Sequence, residues 1–470
     1  MILASTRATA AWSAAITTSV IAVFSATDSL AIEDFVASPD NPVLSVGPPG
    51  AWDGGAAFLP EVITRDGLYY LFYTGQEIPF ATPGGIGFAT STDGANWTKA
   101  DCNPVLAADG SGFDALGVAE PVVILDGDEW IMYYNGLTAF NPSGGSVGRA
   151  TASDPCGPWT RTETPILSPG APGDWDADFV TPSSVIPTDD GFVMYYSGSS
   201  NFFSADLETG RATSVDGIVW AKYDDPATTE PPFAESDPVL RAGPAGAWDE
   251  TAAWLADVGR TADGWELYYA GRGEGGTSVG YATSSDGISW VKSETNPIFT
   301  PLDDPAAPGT LLQSPSFVDT DTQRLLYYDY GIGVEDSIGY AVASLFAPLG
   351  GTVVGINARF AACVNATDPQ SVVTPLPGLA LVESWDCEAL GLTATTGDTV
   401  RLIVSGTGFT ASFAGRVDAL EGGTVLCRNL KQGVDVTAPV ANAGGWSCTV
   451  AGLPVARGDR VQAIVTGTAQ

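Results

Sequence analysis

One phrase recurs five times over the first two thirds of the chain, and it leaves few folds open. It reads Asn41-Pro42-Val43-Leu44 and returns at Asn103–Leu106, Thr164–Leu167, Asp237–Leu240 and Asn296–Phe299, at spacings of 62, 61, 73 and 59 residues. Other features keep step with it. Trp52-Asp53, Phe113-Asp114, Trp175-Asp176 and Trp248-Asp249 follow the phrase. A short extended segment comes next, as in Leu59–Ile63 and Glu120–Ile124, then an aromatic strand such as Tyr69–Tyr73, and then Gly75, Gly136, Gly198 or Gly271. Three units close on Ser-x-Asp-Gly-x-x-Trp, at Ser91–Trp97, Ser214–Trp220 and Ser284–Trp290. There Asp-Gly supplies the positive-φ hairpin turn. About four strands per unit of roughly 60 residues is the pattern of a propeller blade. The sequence therefore predicts an all-β chain with a five-bladed β-propeller over 38–346.

The tail carries a different repeat. Cys363, Ser384–Cys387 and Gly397–Val400 return as Cys427, Gly445–Cys448 and Gly458–Val461, which predicts two small tandem β modules at 350–408 and 409–470. The simplest pairing joins Cys363 to Cys387 and Cys427 to Cys448, while Cys102 and Cys156 are left with a third bridge open. At the other end, Arg7, an apolar run from Ala8 to Ala26 and the small-x-small site Ser29-Leu30-Ala31 read as a signal peptide over 1–31. The expected location is secreted, extracellular or at the cell surface, with no transmembrane span in the mature chain, and paired cysteines fit that compartment.

Charge and composition narrow the chemistry. The 470 residues hold 55 Asp and Glu against 19 Lys and Arg, for a formal charge of −36. Such a chain is repelled by a phosphate backbone, so nucleic acid is not an expected partner. There is no histidine, which removes Ser-His-Asp and Cys-His mechanisms. Carboxylates are left as the main acid–base groups. Oxygen ligands would suit a structural calcium ion in the channel, but no Asp/Asn run has EF-hand spacing, and no other cofactor is expected.

The repeated phrases, Asn-Pro-Val-Leu, Trp-Asp, x-Pro-x-Val, Tyr-Tyr-x-Gly and Ser-x-Asp-Gly-x-x-Trp, resemble those of the five-bladed propeller glycosidases, the superfamily of glycoside hydrolase families 43, 32, 68 and 130. The resemblance implies carbohydrate as partner and two or three carboxylates on the innermost strands of different blades. One would protonate the leaving oxygen while another activates water or attacks carbon. In these relatives a carboxylate precedes the Pro of the inner strand. That column reads Leu59, Glu120, Thr181, Leu255 and Ser314, and the column two residues on reads Glu61, Val122, Ser183, Asp257 and Ser316. Leu59 stands where the relatives keep an Asp base, and Thr181 where family 43 keeps a Glu acid.

Glu120 is accordingly the expected general acid or base, with Glu61, Asp257 or Asp178 as its partner. These acids do not repeat from blade to blade, as a site residue in a repeat protein should not. Asp329, Arg272, Phe202 and Phe203 also break the repeat and are the expected substrate contacts. Asp53, Asp114, Asp176 and Asp249 do repeat, which predicts a turn or capping role. Asp93, Asp216 and Asp286 are predicted hairpin-turn residues. Two functions compete: a secreted glycoside hydrolase acting on poly- or oligosaccharide, and a non-catalytic glycan-binding or cell-surface propeller with an incomplete carboxylate set. A purely structural wall protein is a weaker third reading.

Overall fold

The computed structural model describes residues 35–469 apart from 80–83, 139–144, 202–205, 262–263, 308, 310, 321–322, 332–335, 345–349 and several stretches beyond 349. It divides into two compact units, residues 30–347 and a unit holding 348–470. The first is the five-bladed propeller. Blade one runs Ala56–Arg65, Leu68–Gln76, Gly85–Ser91 and Thr98–Lys99, each strand antiparallel to the last. Blades two, three and four repeat this from Gly117–Asp126, Phe179–Thr188 and Ala252–Thr261. Blade five begins at Leu312–Asp319, and its fourth strand is the N-terminal Val36–Ala37, so the start of the propeller closes its end. The first strands of all five blades touch in a closed ring around the axis.

The core lies between blades. One cluster joins Phe72 and Phe88 of blade one to Val123, Trp130 and Met132 of blade two, and four similar clusters fill the other junctions. A second strand is thus covered on both faces and reads as a continuous aromatic run instead of alternating, as Tyr133-Tyr134 and Tyr195-Tyr196 show, all fully buried. The hairpin turns are as expected. Gly94, Gly217 and Gly287 have φ of 75°, 71° and 73°. Asp93, Asp216 and Asp286 accept the backbone N–H groups of the two residues that follow each glycine.

The Trp-Asp acids do more than cap turns. Asp53, Asp114, Asp176 and Asp249 are buried, and each accepts a Tyr hydroxyl (Tyr73, Tyr134, Tyr196, Tyr269) at 2.9–3.1 Å. Each also pairs with a cation of its blade's outermost strand (Lys99, Arg161, Lys222, Lys292) at 2.5–2.7 Å. The repeated acid thus fastens the second strand to the fourth. In blade five Asp304 takes this place, accepting from Tyr328 at 2.7 Å and from Asn41 at 2.8 Å. Cys102 and Cys156 form the third bridge, across 54 residues between blades one and two.

In the second unit the two repeats share their sheets. The first contributes Gly350–Val354 and Val382–Asp386 to a four-stranded sheet, and the second adds Ala414–Asp418 and Gly445–Ser447. Three strands from each repeat form a six-stranded sheet in which Thr399–Gly408 pairs with Arg460–Ala469. Cys427 is bonded to Cys448. The expected Cys363–Cys387 pair lies outside the described residues, as do the signal segment, Phe202 and Phe203.

Candidate functional site

Each inner strand carries a β-bulge, and the bulge sets what faces the channel. In blade one the ladder passes from Phe58 opposite Thr74 to Glu61 opposite Phe72, so Leu59 and Pro60 together oppose Tyr73. Blades two, four and five do the same at Glu120-Pro121, Leu255-Ala256 and Ser314-Pro315. The first bulge residue has a positive φ: 55° at Leu59, 52° at Glu120, 50° at Leu255 and 55° at Ser314. Such conformations cost about 1–3 kcal/mol for a non-glycine residue. Here they recur with unrelated side chains, so they belong to the fold and do not mark a site by themselves.

Blade three corrects the sequence alignment. Thr181 opposes Ser197 and Ser184 opposes Tyr195, which places Pro182, not Thr181, in the column of Leu59 and Glu120. Ser184, not Ser183, takes the place of Glu61. The proline ring forbids a positive φ, and none is found there. Aligning the blades on the Pro therefore slipped blade three by one residue. The Trp-Asp phrase holds the right register: Leu59, Glu120, Pro182 and Leu255 each lie six residues after its Asp.

With the register set, the acids separate into two groups. At four of the five junctions the N–H after the Glu61-type position reaches the preceding blade; Val122 offers no acceptor at the fifth. Val62 donates to Ser316 at 2.9 Å, Val123 to Glu61 at 3.3 Å, Val258 to Ser184 at 3.3 Å and Phe317 to Asp257 at 2.8 Å. Serine does this work in two blades and a carboxylate in two others. Glu61 and Asp257 are therefore clasps between blades. Burial raises the pKa of both, and the Asp257 charge raises that of Glu61 further.

Glu120 differs. It is half-buried at the bulge, and its carboxyl meets the Asn135 amide at 3.5 Å. Burial pushes its pKa up to about 8, the Asn135 hydrogen bond opposes this, and the charge of Asp329 adds to it. Asp329, 3% exposed, accepts the Leu59 N–H at 3.2 Å and the Gln313 amide at 3.3 Å. Its own pKa is raised by burial to about 7.

Leu59, Glu61, Glu120, Pro182, Leu255 and Ser314 are among the residues lining a channel cavity of about 30 Å³. That volume holds one or two waters. Asp178, half-buried just before the blade-three strand, is not part of this lining. Arg272 lies at the far end of the blade-four ladder, opposite Ala252, with its guanidinium 5.1 Å from the Trp254 ring centre. Burial lowers its pKa, and it has no carboxylate partner among the described residues. No cluster of three or more Asp, Glu, Cys or His suited to a metal ion occurs among the described residues, nor does a helix long and apolar enough to cross a membrane.

The raised acids predict an unusual pH dependence of stability. A carboxyl whose folded pKa exceeds its unfolded value keeps a proton longer in the native state, so stability falls as pH rises between the two. For Asp329 and Glu120 that window runs from about 4, the unfolded value, to about 7 and 8. Within it each group costs up to about 1.4 kcal/mol per pH unit. The turn acids Asp93, Asp216 and Asp286, held low by hydrogen bonds, act oppositely and only below about pH 4. Thermal scans should give a higher midpoint at pH 5 than at pH 8, with a smaller difference in Asp329→Asn. A higher midpoint at pH 8 would contradict the assignment.

Comparison with known proteins agrees with this architecture. No family model matches the chain. The chain is 27% identical over 161 residues to an arabinoxylan arabinofuranohydrolase of Bacillus subtilis, a match spanning 30% of this chain and 30% of that protein. A solved structure from a study of the family 130 mannoside phosphorylases, which contain hydrolases targeting β-1,2 mannosidic linkages in Candida mannan, superposes with a TM-score of 0.53 at 19% identity. It covers 67% of this chain and 94% of that one. A glycosyl hydrolase from Bacteroides ovatus gives 0.52 at 18% identity, over 66% and 94%. The fold is that of the propeller glycosidases.

Proposed function

We propose that the propeller acts on an extracellular poly- or oligosaccharide, exported by its N-terminal signal, with Glu120 as the proton-carrying group at the channel. One observation carries this reading: Glu120 is the channel-lining acid whose carboxyl does not clasp a neighbouring blade's backbone. We take Asp329 as its partner, in place of Glu61, Asp257 or Asp178. The Asp329 charge raises the Glu120 pKa, and Asp329, like Glu61 and Asp257, also accepts a backbone N–H from the next blade. The two environments separate the pair. Burial raises both pKa values, Asp329 to about 7 and Glu120 to about 8, so Glu120 keeps its proton to the higher pH, the division of roles that glycosidic cleavage needs. Arg272 over Trp254 offers a cation beside a ring and suits an acidic substituent on the sugar.

Sugar release should follow a bell-shaped pH profile with limbs near 7 and 8, values belonging to the pair and not to either residue alone. A profile flat from pH 5 to 9 contradicts it. A second reading, glycan binding without turnover, is favoured by Leu59, Pro182 and Leu255 filling three of the five bulge positions and by the small cavity between them. It predicts binding with no release at any pH.

A further inference from the structure

A second ring of inter-blade hydrogen bonds is interrupted beside Glu120. At three junctions the N–H of the bulge residue donates to a side chain on the second strand of the preceding blade. Leu59 donates to Asp329 at 3.2 Å, Glu120 to Thr74 at 2.9 Å and Leu255 to Ser197 at 2.9 Å. Between blades four and five the acceptor is missing, because Ala270 stands at that position. Between blades two and three the acceptor is present and the donor is missing. Asn135 holds the position, and the residue facing it is Pro182, which has no N–H.

The consequence is visible at Asn135. It is 1% exposed, and its Oδ1 has no hydrogen-bond partner among the described residues. A buried acceptor left this way costs about 1–3 kcal/mol, so its retention calls for a reason. Its Nδ2 meets Glu120 Oε2. An amide carries a donor on one side and an acceptor on the other. With Nδ2 toward Glu120 it serves the carboxylate. Turned over, Oδ1 accepts from the O–H of the carboxylic acid. A main-chain N–H holding the oxygen, as at the neighbouring junctions, would fix the amide in the first orientation.

We propose that Asn135 is a positioning residue for the Glu120 carboxyl, and that Pro182 leaves its amide free to partner both the protonated and the ionised form. The idea rests on Glu120 being the acid–base group proposed above. No co-reactant is involved: the proton stays on Glu120 or leaves to substrate, and Asn135 only exchanges the atom it presents.

The test is a ¹³C-NMR titration of the Glu120 side-chain carboxyl in the full chain, its signal assigned by its loss in Glu120→Gln. Pro182→Ala supplies the missing N–H, locks the amide and should lower the Glu120 midpoint by about one pH unit, because the acid form loses its acceptor. Asn135→Ala removes the partner of both forms at once and should therefore move the midpoint less than Pro182→Ala does. A purely structural role would move the unfolding temperature and leave the Pro182→Ala titration at the wild-type midpoint, and that result overturns the proposal. If Pro182→Ala does not fold, Pro182→Gly, which supplies the same N–H and tolerates the positive φ of the other bulges, decides in its place, and an unmoved midpoint there is equally fatal. The expected shifts without any sugar release would uphold the Asn135 inference while removing the catalytic reading beneath it.

Discussion

Arg324→Met is expected to destabilise the propeller by about 3–5 kcal/mol, the cost of leaving a buried charge without its partner. Arg324 lies on the second strand of blade five and is 3% exposed. Its two terminal nitrogens reach both oxygens of Glu266 in blade four, at 2.7 and 2.8 Å, and one of them also meets the Tyr268 hydroxyl at 3.0 Å. Asp319, at the end of its own blade's first strand, takes two further bonds at 2.6 and 2.7 Å. Glu266 is 5% exposed, so without the guanidinium it must either protonate or remain charged away from water. Because the hazard is the orphaned acid and not the lost attraction, Glu266→Gln combined with Arg324→Met should recover much of the loss. Chemical denaturation of the single and double variants measures both effects. A loss below about 1 kcal/mol in the single variant, the range of a surface pair, would show that the charge is not enclosed.

Glu120→Gln should cut sugar release by about 10²–10⁴-fold, the range for removing a general acid or base. Folding should be untouched. Gln has nearly the same shape, the bulge φ of 52° is set by the fold, and the Glu120 N–H keeps its bond to Thr74. Since Glu120 is held largely protonated at neutral pH by its surroundings, a neutral amide also spares the cost of a buried charge. The unfolding midpoint should stay within a few degrees of wild type, or rise slightly at pH 8. The equivalent change at Asp257 should do the reverse: it weakens the bond from Phe317 and shows in stability before it shows in turnover.

Much of this could be read from the residues, because a blade is a local object. Strand order, hairpin turns and blade count follow from phrases that recur within each unit, and the turn acids fall where Asp-Gly predicts. Relations that close across the ring were not legible. Asp329 meets the Leu59 N–H 270 residues away, and nothing near either residue announces it. Asp304 hides its kinship with Asp53 because blade five has no Trp-Asp phrase, and its cation is replaced by Asn41 from the other end of the propeller.

The slip in blade three has a different origin. Proline is a strong landmark in a strand, yet Pro182 sits one place earlier in its bulge than Pro60, Pro121 or Pro315 sit in theirs. The six-residue distance from Trp-Asp contained the correction. Glu61 and Asp257 do not repeat from blade to blade. The structure shows that serine and carboxylate are interchangeable as acceptors for a backbone N–H, so failing to repeat was not evidence of a site.

The most direct test is binding and sugar release measured on the same panel of neutral and acidic oligosaccharides, at pH 7.5, with wild-type protein and Glu120→Gln side by side. The expected result is that both proteins bind the same sugars and wild type alone releases product. Equal release by the two proteins would show that Glu120 carries no chemistry, and binding without release by either would leave a propeller that recognises glycans and does not cut them.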